Sequence, residues 1–200
     1  PFNRRTRQVR DLTESLLEEG RAIGARALVL CPLNDGSEIA PEETQSALQE
    51  LAPLFARYGV QGLVEPLGFP QSSLRSAAEA MTLIRQAHAP FKLLIDTFHH
   101  HLYPQADEAL SEIDVDDIGL VHLSGVDDPR PREQLTDNER IMLTADDRLR
   151  TGEQVARLEA RGYKGVYAFE PFAPQLATWS EAQIRREISQ SIALIQQGCV

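Results

Sequence analysis

Residues 91–97 read FKLLIDT, a nearly unbroken apolar run that ends on a carboxylate. Strict alternation would mark a strand with one wet face, so a continuous run of this length reads as a strand covered on both faces, as in a parallel sheet. The same grammar recurs on both sides: ALVLCP at 27–32, VQGLVEP at 60–66, IGLVHLS at 118–124 and VYAFEP at 166–171. Between these runs the apolar residues fall at helical spacing. Val9, Leu12 and Leu16 precede the first run, and Leu48, Leu51, Phe55 and Tyr58 precede the second. Gly24 and Gly59 stand where glycine caps would end those helices, and Pro41 with Glu42 and Glu43 suits the start of the second. A third helix is predicted around Leu74, Ala77, Ala78, Met81 and Ile84, a fourth around Val155 and Leu158 with Gly162 as its stop, and a last one along Ile184, Ile188, Ile192 and Ile195.

The strand centres Leu30, Val64, Ile95, Val121 and Phe169 are 34, 31, 26 and 48 residues apart, the rhythm of repeated strand–helix units. Such crossovers are right-handed, which leaves a (β/α) barrel or a doubly wound sheet as the candidate folds. A complete eight-unit barrel takes roughly 250 residues. Five strands in 200 residues therefore make one partial domain, 1–200, with further strands expected ahead of Pro1. Residues 127–150, rich in both acids and arginines, stretch the last interval and are expected as a loop on the face where barrel sites lie.

Composition narrows the partners. Thirty acidic against twenty basic residues give a net charge of −10, the wrong sign for binding nucleic acid. No run approaches the length of a membrane span, no signal peptide is visible, and only Cys31 and Cys199 are present. A soluble, cytoplasmic protein without a disulfide framework is expected.

Four of the five runs end in an ionisable residue: Glu65, Asp96, His122 and Glu170. Taken singly, each is explained by an ion pair or a capped loop. In parallel strands all four converge at one end of the sheet, where charges beside an apolar core need a partner or a metal. Three carboxylates and a neutral imidazole suit one divalent ion such as Mn²⁺, Co²⁺, Mg²⁺ or Zn²⁺. Of the three consecutive histidines, His99 and His101 are expected near the pocket and His100 turned away, with His88 solvated at a helix end. Cys31 reads as a small buried hydrophobe, and Arg130, Arg132 and Arg140 as surface ion-pair formers. No glycine-rich phosphate loop follows a strand, so no nucleotide cofactor is expected.

The strings EPLGFPQ at 65–71, IDTFHHH at 95–101, VHLSGVDD at 121–128, LTDNER at 135–140 and GYKGVYAFEPF at 162–172 together resemble the xylose-isomerase-like TIM-barrel family of sugar isomerases and epimerases, most of all its inosose isomerase (2-keto-myo-inositol isomerase) branch. The resemblance implies a (β/α)8 TIM barrel of which this chain holds strands 4 to 8. It implies Glu65, Asp96, His122 and Glu170 as ligands of one divalent metal, Glu65 and Glu170 as acid and base, and His99 and His101 as substrate-binding residues. The implied reaction moves a ketone between adjacent carbons of a cyclic polyol through an enediolate. Inosose dehydration, ketohexose epimerisation and an inactive carbohydrate-binding remnant are the alternatives. A small keto-polyol or ketose is the implied partner, with a homo-oligomer as a further option. Gln71 stands where the sugar epimerases carry a glutamate, Phe69 where inosose isomerases carry a histidine, and Thr144 to Arg148 replace a Pro-Gly turn. A multi-zinc DNA-repair site of the same superfamily is disfavoured by five histidines and the acidic surface.

Overall fold

A computed structural model describes residues 1–198 of the chain. Five strands, β1 (Ala27–Leu30), β2 (Gln61–Val64), β3 (Lys92–Asp96), β4 (Ile118–Leu123) and β5 (Tyr167–Phe169), form one sheet in sequential order with every neighbouring pair parallel. The expected strand–helix alternation is present, with helices α1 (Arg7–Ala22), α2 (Pro41–Tyr58), α3 (Ala77–Gln86), α4 (Thr97–Leu102), α5 (Ala106–Ser111), α6 (Thr151–Ala160) and α7 (Glu181–Gly198). α1 packs on α2, α2 on α3 and α6 on α7, while α1, α2 and α3 each pack on the strand that follows them.

Local chemistry sets the helix ends. Thr6 Oγ1 accepts from the Val9 amide and Ser76 Oγ from the Glu79 amide, each satisfying one free donor of a first turn. The Ser76 cap starts α3 at Ala77, so Leu74 lies before the helix rather than on it, buried beneath the entering chain. At the other end of α2, Gly59 adopts φ 67°, a left-handed conformation that costs glycine nothing and lets its amide bond back to Ala56 and Phe55.

The core runs between the middle strands and α2, α3 and α6, with Leu48, Phe55, Val64, Ile84, Leu93, Val121 and Leu158 all but sealed from solvent. Full burial of each such side chain contributes about 1.5–3 kcal/mol. The first helix forms where its stripe predicts but is only partly covered. Leu12 and Leu16 are exposed, and Val9, Leu12, Thr13 and Leu16 instead line a hollow of about 430 Å³ against β1, which is the edge strand of the sheet among the described residues. On α7, Ile195 packs against the core while Ile184 and Ile192 remain exposed. Cys31 is exposed as well, at the open margin just beyond β1, which corrects its reading as a buried residue. Cys199 lies outside the described residues. Among those residues no helix is long and apolar enough to cross a membrane.

The long segment between β4 and α6 folds over the carboxyl ends of the strands. It is anchored by two-way backbone bonds between Gly125 and Ile141, of 2.8 and 2.9 Å. The approach is so close that a Cβ on Gly125 would stand 2.9 Å from the Leu143 Cα. A 3-10 turn at Asp137–Glu139, closed by a capping box between Thr136 and Glu139, then delivers Arg140 inward.

Candidate metal centre

Parallel strands in register present their carboxyl ends together, and four of them supply a donor. Glu65 follows β2 directly, with its amide bonded to the Leu30 carbonyl at 3.1 Å. Asp96 ends β3, and His122 stands opposite it in the β3–β4 register. Glu170 follows β5, with its amide bonded to the Leu123 carbonyl at 2.8 Å. Ladder bonds continued one residue past the strands thus fix both glutamate backbones. One side-chain donor from each of the four lies within 4.8 Å of all the others.

The electrostatics of the cluster are tight. His122 Nδ1 is 3.0 Å from Glu170 Oε2, 3.7 Å from Glu65 Oε1 and 4.0 Å from Asp96 Oδ2. Burial opposes charge on this ring, but Glu170 and Glu65 outweigh it and lift its pKa to about 9. Burial, helped by Glu65 and Glu170, pushes Asp96 up to about 7 against the pull of Arg140. For Glu170 burial acts upward, yet His122 and Arg140 bring the carboxyl below its ordinary value. Asp96 Oδ1 also caps α4, accepting from the Phe98 and His99 amides at 2.7 and 3.1 Å, which aims Oδ2 at the cluster. Glu65 Oε1 and His122 Nδ1 are buried without a hydrogen bond, despite the proximity of the His122 ring to carboxylates. Buried polar atoms left in this condition on converging donors are what a bound cation would satisfy, and the oxygen and imidazole donors fit a hard or borderline divalent ion.

The structure brings His99 beside this set. Its ring packs edge-on against Phe69 and Phe98 at 5.0 and 5.5 Å, its Nδ1 is buried without a partner, and burial followed by Arg140 lowers its pKa to about 3. His99 is therefore a neutral imidazole. His100 turns away to Asp107 at 2.8 Å, as expected, and His88 is exposed. His101 is half-buried, and the charges acting on it are those of Arg132, Asp147, His100 and Arg148 rather than the four donors. Although the residue as a whole is exposed, the Cys31 thiol donates to Glu65 Oε2 at 3.4 Å, and desolvation of the sulfur, then the Glu65 charge, raise its pKa to about 12. It is a neutral thiol at the rim of the site.

Arg140 overturns its reading as a surface ion-pair residue. It is 2% exposed, and its Nη2 donates to Asp96 Oδ2 at 2.5 Å and to Glu170 Oε2 at 2.8 Å. Sequence spacing could not reveal this, since Arg140 is on a loop and 44 residues from Asp96. Only the TDNE capping pattern just ahead of it signals that the chain turns there.

Comparison with known proteins agrees with this architecture. The model of the xylose isomerase-like TIM barrel family matches residues 2–196. A crystal structure of a xylose isomerase domain-containing protein from Salmonella typhimurium LT2 shares 58% identity and superposes with a TM-score of 0.96 over 98% of this chain and 72% of its own. The zinc-bound IolI protein, at 21% identity, gives a TM-score of 0.83 over 98% of this chain and 73% of its own. Inosose isomerases of Halalkalibacterium halodurans and Bacillus subtilis are 24% and 25% identical over 81% of this chain. The chain spans 58% and 59% of the length of these two curated relatives. The parallel sheet with its strand-end donors, and the match across almost every residue, make this chain a member of the xylose isomerase-like TIM-barrel family.

Proposed function

We propose that this protein is a divalent-metal-dependent isomerase that moves a ketone between adjacent carbons of a cyclic keto-polyol of the 2-keto-myo-inositol type, through an enediolate. The observation that carries the reading is the convergence of Glu65, Asp96, His122 and Glu170 to within 4.8 Å. These four would hold the ion, Mn²⁺, Co²⁺, Mg²⁺ or Zn²⁺. When bound, it would supply Lewis-acid stabilisation of the negative charge that develops on substrate oxygen.

The residues of the chain do the rest. Glu65 and Glu170 come from β2 and β5, the outer two of the four contributing strands, and so flank the space between them. In this reading one removes a proton from carbon and the other returns one to its neighbour. Carboxylates are weak bases, and their fixed proximity offsets that weakness. Neutral His99 is assigned a hydrogen bond to a substrate oxygen, and His101 the same role from the side of the 127–150 segment. The names of the curated relatives support an inosose as the substrate. The same reading makes residues 1–200 one partial domain and β1 to β5 strands 4 to 8 of the barrel. It sets the protein in the cytoplasm with a small-molecule partner, and a homo-oligomer is compatible with it.

The test is incubation of the metal-stripped, reloaded protein with 2-keto-myo-inositol in deuterated water, followed by NMR. Metal-dependent formation of the isomeric inosose with deuterium at the exchanging carbon is the expected result. A conjugated enone would replace the isomerase by a dehydratase, and inversion at one carbon with the ketone in place would replace it by an epimerase. Absence of exchange with metal bound overturns the assignment.

A further inference from the structure

We propose that Arg140 sets the charge of the metal centre, trimming the donor set so that it balances one divalent ion and weakening its hold on that ion. The inference rests on the reading of the four donors as metal ligands. Glu65, Asp96 and Glu170 carry a formal charge of −3, and His122 ligates as a neutral imidazole. Arg140 brings this to −2, the complement of a single divalent cation. The guanidinium offsets the cost of three buried carboxylates most in the metal-free site, where no cation opposes them.

The side chain is built in rather than resting on the surface. Its Nη2 contacts two of the four donors, Asp96 at 2.5 Å and Glu170 at 2.8 Å, through the same oxygens that face His122. Phe98 and Phe172 cover the guanidinium at 5.1 and 4.7 Å from their ring centres. The backbone is held too, since the Arg140 carbonyl accepts from the Phe172 and Ala173 amides at 2.9 and 2.8 Å. Nη1 reaches outward to Asp137 at 3.1 Å, whose side chain is half-exposed. Arg140 and a bound cation therefore draw on the same two oxygens while repelling each other. The guanidinium lowers affinity, and Asp137 takes up part of its charge.

The experiment is Co²⁺ titration of the full chain, read by calorimetry and visible absorption, in the wild type, Arg140→Gln and Arg140→Lys. Removal of the charge in R140Q is expected to tighten Co²⁺ binding about tenfold or more. R140K, which keeps the charge, stays near the wild type. The rise in Tm on adding Co²⁺ is also larger for R140Q, because its metal-free form loses a buried counter-ion. Equal or weaker binding by R140Q makes Arg140 a mere organiser of the ligands and overturns the proposal, while the metal centre stands. Failure of the wild type to bind Co²⁺ overturns both. If R140Q does not fold, Asp137→Asn carries the test: asparagine keeps an acceptor oxygen but not the charge, so the guanidinium loses its outer counter-charge, bears fully on Asp96 and Glu170, and affinity falls. Unchanged affinity in D137N then overturns the proposal.

Discussion

In β3, Leu93 and Leu94 are fully buried, whereas no residue of β5 is, and only Leu30 of β1 is buried. The residue types hardly differ between the middle and the margins. The helices repeat the contrast: α2 buries Leu48, Leu51, Leu54 and Phe55, while α1 leaves Leu12 and Leu16 in solvent. An apolar stripe thus tells which way a helix faces but not whether anything stands on that side. The functional donors follow the same gradient, with Asp96 wholly enclosed on β3 and Glu170 about one-third exposed beside β5.

The largest effect should come from the donors that tie middle to margin. Glu170→Gln is expected to cut turnover by about 10²–10⁴-fold, and equal activity in steady-state assays would remove Glu170 from the acid–base pair. Next, Leu93→Ala in the sealed middle should cost about 2–5 kcal/mol in urea unfolding. Leu12→Ala at the margin should stay within about 0.5 kcal/mol, and a matching loss there would erase the distinction between the regions. The third expectation concerns pH. In the metal-stripped protein His122 is raised from 6.5 to about 9, so the folded state holds this proton more tightly. Its stabilisation is complete below about pH 6.5 and disappears as pH rises through about 9, a fall in Tm that His122→Gln should abolish. Thr6→Ala, which removes the cap of a helix already half uncovered, should cost about 1 kcal/mol in the same unfolding assay, between the Leu93 and Leu12 values.

Much of this was legible before the fold was known, because strands of a parallel sheet carry their burial in their own sequence. FKLLIDT and IGLVHLS mark β3 and β4 almost residue for residue, and the charges at their ends foretell the meeting of Asp96 and His122. What stayed hidden depends on partners remote in the chain. Apart from the TDNE capping pattern, nothing near Arg140 differs from an ordinary polar loop, and its burial arises only when the 127–150 segment folds back over β3 and β5. Cys31 was misread for the opposite reason. Its apolar neighbours promise a covered strand, but the missing cover is a property of the sheet margin.

The bonds between Gly125 and Ile141 give the centre a gauge made of an absent side chain. A methyl group on Gly125 would press on Leu143 and the Met142 carbonyl and push the folded-back segment off the strand end, and the displacement would travel back through Ile141 to Arg140. Attraction between the guanidinium and its two oxygens changes steeply with separation at such range. Gly125→Ala therefore acts as a spacer inserted at a distance. It leaves all four donors and Arg140 chemically intact while altering how strongly they feel one another, so that a position with no chemistry of its own becomes a site at which this centre can be retuned.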